Sequence, residues 1–228
     1  MRLLKPIAAA LMLCVSGPSF AQDAQEWITY ESGPDRFSVN FPAQPKIEDI
    51  TWPSEYGAVF PGRVYTQTEG PSRYSVTVID YTDAERLHSL RSKPESFQDP
   101  IYWQIDIQAS IQYAATKVRQ RPGVKVTYDA WHYIDLVEGH QLQLTNADQT
   151  KTFVAIYLHE NRLYILEATV PPRAAPPGLF QQSLSFLDAE GKRVRYPAIY
   201  SNRLPPRTLG GRGGRGGQGG GGQGDPQR

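Results

Sequence analysis

The sequence predicts an α+β domain, an antiparallel sheet of about 7–9 strands layered with helices. Three observations carry that expectation. Residues 124–170 contain four short runs rich in β-branched and aromatic residues: 124–137, 141–145, 153–158 and 163–170. They are separated by Glu138-Gly139, by residues 146–148 and by residues 160–162, and such punctuation reads as hairpins of one meander. Ahead of them, Trp103, Ile107, Ile111, Ala114 and Val118 recur at helical spacing and make an apolar stripe. Earlier still, Phe37, Val39 and Phe41 alternate with Arg36, Ser38 and Asn40, so one face of that strand is buried and the other wet. A sheet made of such strands needs cover on its apolar side, and the helices supply it.

Taken in order, residues 27–31 and 36–41 form a first hairpin around Ser32, Gly33, Pro34 and Asp35, a turn-forming set. Pro42 ends the second strand and Pro45 keeps the exit extended. Residues 47–51 and 63–67 are weaker strands, and the aromatic-rich stretch that begins at Trp52 reads as a loop between them. Residues 74–81 are apolar enough to be a central strand. Thr82 and Glu85 have the spacing of a capping box on a short helix. A longer helix follows, with Asp99 as N-cap and Pro100 at the first helical position. Lys117, Arg119 and Arg121 suit its C-terminal end, and Pro122-Gly123 stops it. At 1.5 Å per residue, residues 100–120 span about 30 Å, enough to cross a sheet face. Ile111, in the middle of the stripe, is expected near the centre of the helix–sheet core. After the meander, Phe180, Leu184 and Leu187 predict a second core-facing helix over residues 178–187.

Both ends of the chain stand apart from this body. In residues 1–21, Arg2 and Lys5 precede an apolar run from Ile7 to Val15, and Ser19 and Ala21 supply small residues for cleavage. That is the pattern of a secretory signal peptide, too short in its apolar run for the ~20 residues a membrane span needs. Leu13 before Cys14 does not suit a lipoprotein signal. The expected location is periplasmic or secreted, with no transmembrane segment. Cys14 is the one cysteine and would leave with the signal, which excludes disulfide and thiol chemistry from the mature chain. Residues 22–200 are then a single domain able to bury a sizeable core. Residues 22–191 carry 14 Lys+Arg against 22 Asp+Glu, a net of −8, while residues 192–228 carry 8 against 1, a net of +7. The tail, residues 201–228, is expected to be disordered, because eleven of the chain's 20 glycines lie in residues 210–224. Its Arg-Gly-Gly repeats resemble RNA-binding tails, but export argues against nucleic acid as a partner. The remaining readings are a solvated spacer or weak contact with an anionic surface.

Residues 36–42, 74–81 and 180–188 resemble exported bacterial proteins of unassigned function, with a layout similar to the PsbP-like fold group. That resemblance implies an antiparallel sheet between helical layers. It also implies a binding or assembly role and transfers no functional residue.

The signatures of chemistry are sparse. There is no Gly-x-Ser-x-Gly elbow or Ser-x-x-Lys pair, and His159-Glu160 lacks the second histidine of a zinc helix. His88, His132, His140 and His159 are the four histidines. His132 and His140 could meet across a hairpin with Asp129 or Asp135 and hold a metal, or each could bond locally. Asp80 and Asp83 are either a carboxylate pair or a strand exit and a helix cap. Trp52, Tyr56, Phe60 and Tyr65 could form a stacking platform for a sugar or peptide, or tuck their loop onto the sheet. No catalytic, metal or cofactor-binding residue is assigned, and no cofactor is expected. The expected function is a non-enzymatic, exported binding or assembly module whose partner is an envelope protein or glycan. The alternative is a periplasmic hydrolase or metal-dependent enzyme built from scattered Asp and His.

Overall fold

The computed structural model describes residues 26–90 and 101–202. The leader-like segment, the Asp99-Pro100 cap and the glycine-rich tail lie outside them. Among these residues ten strands form two antiparallel sheets. The large one has seven strands: β3 (Lys46–Pro53), β4 (Val59–Glu69), β5 (Ser72–Asp80), β6 (Lys125–Ile134), β7 (Val137–Thr145), β8 (Lys151–His159) and β9 (Arg162–Val170). Their spatial order is β3-β4-β5-β9-β8-β7-β6, so β3 and β6 are its edges. The small sheet joins β1 (Ile28–Ser32), β2 (Phe37–Phe41) and β10 (Ser185–Phe186), with β2 in the middle. The helices are α1 (Ala84–Ser89), α2 (Tyr102–Arg119) and the short α3 (Gly178–Gln181).

The large sheet is packed on both faces. Helix α2 lies on one, where Trp103, Ile107, Ala114 and Val118 meet Phe60 of β4, Ile79 of β5, Leu163 and Ile165 of β9, and Leu142 of β7. The small sheet and α3 lie on the other, where Phe37, Val39, Phe41, Phe180 and Phe186 meet Tyr65, Val76, Tyr157, Tyr164 and Leu166. Alternation along each strand sends successive residues to opposite cores. Thus Val76 and Val78 face the small sheet while Ile79 faces the helix. Full burial of side chains this size stabilises by roughly 1.5–3 kcal/mol each, before entropy is counted. Asp35 fastens the small sheet at its first turn. Its carboxylate accepts from Arg63 Nε at 2.7 Å, and its carbonyl accepts from Tyr164 Oη at 2.9 Å.

Several local expectations need correction. Ile111 is only partly buried, and Ile107, with no exposed surface, occupies the centre of the α2 stripe. Asp106 and Ser110 also lie on the buried side of α2. Thr82 does not cap α1. Its amide and hydroxyl donate to Asp80 Oδ1 at 2.9 and 2.6 Å, and the N-cap is Asp83 without a side-chain cap bond. The predicted helix over residues 178–187 shrinks to one turn, because Ser185 and Phe186 pair with Ser38 and Phe37 of β2. The β6–β7 turn is Asp135-Leu136, both at positive φ, and not Glu138-Gly139. Gly139 is instead a strand residue opposite Tyr157, where a Cβ would stand 2.2 Å from the tyrosine ring. The stretch after Trp52 is a hairpin rather than a long loop, with β3 and β4 in register from Lys46–Thr66 to Pro53–Val59.

Candidate functional site: the β6 edge

The aromatic stretch at 52–65 does not make a platform. Phe60 is buried against Tyr81 at 4.1 Å between ring centroids, and Tyr65 is buried in the opposite core. Trp52 meets Tyr113 edge-on at 6.1 Å with Lys117 Nζ 4.9 Å above its ring, and Tyr56 meets Tyr102 at 5.8 Å. Asp80 and Asp83 are not a pair either, since Asp80 holds Thr82 and Asp83 binds Arg86.

The exposed aromatic surface is on β6. Pairing with β7 places Asp129, Trp131 and Tyr133 on the α2 face of the sheet, opposite Leu142, His140 and Glu138. Tyr128, His132 and Ile134 point to the other face. Trp131 is 56% exposed, Tyr133 46% and Tyr128 43%, with Leu136 and Val126 exposed beside them. These rings stay in solvent because α2 packs on β7, β8 and β9 and meets β6 through the Arg119 side chain, and the small sheet covers strands nearer the middle.

Beneath Trp131 lies a polar cluster. Arg119, in the last turn of α2, donates from Nε and Nη2 to Asp129 at 2.6 and 3.0 Å. His140 Nε2 contacts the same carboxylate, and Gln112 Nε2 lies 3.5 Å from His140 Nδ1. A consistent proton assignment is His140 with Nε2–H donating to Asp129 and Nδ1 accepting from Gln112. The Arg119 Nη2 to His140 Nε2 approach of 3.1 Å is then a contact between two donors drawn to one acceptor. The Arg119 hydrogen bonds hold the Asp129 carboxyl down at about 2 against the opposing cost of burial, with His140 adding to the lowering. Trp131 closes the cluster edge-on to the imidazole at 5.5 Å. The arrangement fixes an aromatic edge strand to the end of α2. It leaves Asp129 ionised and its oxygens spent on Arg119 and His140, which unfits it as a general base.

The other histidines go elsewhere. His132 is on the far face, where its Nδ1 meets Tyr157 Oη at 2.9 Å, so it does not join His140. Asp135 sits in the β6–β7 turn and binds Arg193 at 2.9 Å and Arg195 at 3.3 Å. Among the described residues no group of three or more His, Cys, Asp or Glu could hold a metal ion. Sequence reasoning missed one buried trio. Ser54 Oγ and His88 Nε2 both reach Asp106 Oδ2, the latter at 2.8 Å. These are the residue types of a hydrolytic triad in the wrong order, since the histidine must stand between serine and carboxylate to accept the hydroxyl proton. Here the carboxylate takes that place. A concavity of about 210 Å³ between β4, β5 and β9 is lined by Val64, Arg73, Ser75, Thr77, Glu167 and Thr169. It is smaller than the roughly 300 Å³ at which small-molecule pockets begin, and Arg121 clamps its Glu167 at 2.7 and 2.9 Å.

No protein-family model matches the sequence, and no curated protein matches it. Solved structures do show similarity. One is the solution structure of cyanobacterial PsbP (CyanoP) from Synechocystis sp. PCC 6803, with TM-score 0.37 and 8% identity, covering 68% of this chain and 86% of that one. Another is the crystal structure of PA94 from Pseudomonas aeruginosa, a protein of unknown function described as a putative regulator, with TM-score 0.27 and 13% identity, covering 64% of this chain and 83% of that one. The chain is thus an α+β protein of two antiparallel sheets and a few helices, with a likeness to a PsbP structure that bears on neither chemistry nor partners.

Proposed function

We propose that this chain is an exported binding or assembly module that meets its partner along the β6 edge. The observation that carries the reading is the exposure of Tyr128, Trp131 and Tyr133 on an edge strand anchored from beneath by Arg119, Asp129 and His140. Aromatic side chains on a rigid support lose little entropy on contact and are the groups that dominate protein interfaces. The rival, a hydrolase or metal-dependent enzyme, needs free nitrogen and carboxylate positions converging in a cleft. His140 and Asp129 instead spend those positions on each other, on Gln112 and on Arg119. Export rests on the pattern of residues 1–21, and the partner is expected in the envelope.

The test is site-specific photo-cross-linking in the native host, with the reactive side chain at Tyr128, Trp131 or Tyr133, and at Glu48 or Asp49 on the opposite edge as controls. Discrete adducts from the β6 positions and none from the β3 positions support the reading. Equal labelling from both edges, or none from β6, sinks it.

A further inference from the structure

We infer that the occupant of the β6 edge is a second copy of this chain, paired antiparallel to itself across a two-fold axis. This rests on β6 being the contact surface and goes further by naming what covers it. The two edges of the large sheet are built differently. Strand β3 exposes Lys46, Glu48 and Asp49, with Lys46 paired to Glu48 at 2.6 Å, and prolines stand at 45 and 53. Charges and prolines of this kind keep an edge from pairing with another strand. Strand β6 has no proline in its ten residues. Lys125 stands at its start, and the charge of Asp129 is already met by Arg119. Among the described residues no strand pairs with its outer side.

The register follows from the same residues. A β-bulge between Val126 and Tyr128 interrupts the ladder, so the regular part of β6 is residues 128–134, and its midpoint is Trp131. In two-fold antiparallel pairing about Trp131 that residue faces itself. Tyr133 then faces Asp129 of the second copy on the α2 side, while Tyr128 faces Ile134 and Ala130 faces His132 on the other. Trp131 meets Trp131 and Tyr128 meets Ile134, while Asp129 lies beside a tyrosine and His132 beside an alanine. Centring on Asp129 instead would set two carboxylates directly opposite, an arrangement that destabilises a sheet. The Trp131 register extends seven strands into a continuous sheet of two copies and covers three of the exposed rings on each.

Cross-linking reads this register directly. In the full chain carrying Cys14→Ser, Trp131→Cys is expected to give a disulfide dimer on mild oxidation. Directly opposed residues lie about 4.5–5.5 Å apart at Cα, within the range a disulfide spans. Ala130→Cys and His132→Cys should each cross-link poorly alone and efficiently when the two variants are mixed. In parallel, sedimentation of the wild-type chain should show a monomer–dimer equilibrium. Trp131→Lys, which sets like charges face to face, should raise its dissociation constant roughly tenfold or more. A wild-type chain that stays monomeric, a dimer untouched by Trp131→Lys, or indiscriminate cross-linking from all three cysteine positions overturns the inference. A monomer that still gives adducts with other proteins from Tyr128 or Trp131 would overturn self-pairing alone and leave the binding-module reading standing. Loss of the β6 adducts as well would remove both.

Discussion

Lowering the pH from 7 to 5 should destabilise this protein through one buried histidine. His159, the last residue of β8, has no exposed surface. Its ring stacks on Phe186 at 4.3 Å and lies 4.8 Å from the ring of Tyr200, and its Nε2 is 2.7 Å from Tyr196 Oη. Arg162 and Arg36 are close enough to act on it, and Glu160 is bound to Arg36 at 3.0 Å. Burial first, and then the two arginines, depress its pKa from 6.5 to about 4. Between those values the unfolded chain takes up a proton that the folded one refuses. The neutral histidine's contribution is therefore fully present above pH 6.5 and is lost as pH falls toward 4. At about 1.4 kcal/mol per pKa unit the whole effect is about 3 kcal/mol, and about 2 kcal/mol of it is gone by pH 5. The assay is urea unfolding at pH 7, 6 and 5 on the wild type and on His159→Gln, whose amide can still bond Tyr196. The variant's own loss of stability is irrelevant; the readout is the slope with pH, expected to be shallower by about 2 kcal/mol across the range. His132, whose pKa burial also lowers, is present in both proteins and cancels. Asp129 titrates below 3.8, outside the window. Parallel slopes in the two proteins would refute the argument.

Other perturbations have distinct expected outcomes. Ile107→Ala should lower stability by about 2–5 kcal/mol, because it removes fully buried methylenes between α2 and the sheet. Ile111→Ala should cost clearly less, and equal denaturation midpoints for the two would place the α2 stripe wrongly. Gly139→Ala sets a Cβ 2.2 Å from the Tyr157 ring and 2.4 Å from the Ile156 carbonyl. It should cost roughly 1–3 kcal/mol or more, whereas Gly33→Ala, with nothing within 4 Å, should be near neutral by thermal melt. Asp106→Ala strips Ser54 and His88 of a shared buried acceptor and should cost about 3 kcal/mol in chemical denaturation. For the tail, deleting residues 209–228 should abolish low-salt co-sedimentation with anionic vesicles, since its arginines act through charge that salt screens over about 8 Å. Binding unchanged by the deletion would make the segment a spacer.

Helix α2 and the strands of the meander were legible because their signals are local. A 3.6-residue stripe or a run of β-branched residues states its own secondary structure, and Trp103, Ile107, Ala114 and Val118 did face the core. The α+β class followed from those elements alone. What the chain does with residues 178–187 was not local: Ser185 and Phe186 are a strand only because β2, nearly 150 positions earlier, offers them an edge. Turn position failed for a similar reason. Gly139 looks like turn chemistry, yet it is small because Tyr157 lies across it, while the turn falls at Asp135 and Leu136, residues without glycine's freedom at positive φ. His132 and His140 part because β7 sets Trp131 opposite His140 and Gly139 opposite His132, and neighbouring residues of a strand take opposite faces. The sequence by itself determined the acidic body and basic tail, the long helix and the meander, and the alternation that makes two faces on each strand. Only the tertiary structure decided which aromatics are covered. The rings of residues 52–65 meet α2 and the small sheet, whereas Tyr128, Trp131 and Tyr133 lie on the edge strand beside the strands that α2 packs on, and a ring's burial depends on the reach of distant elements rather than on its neighbours in the chain.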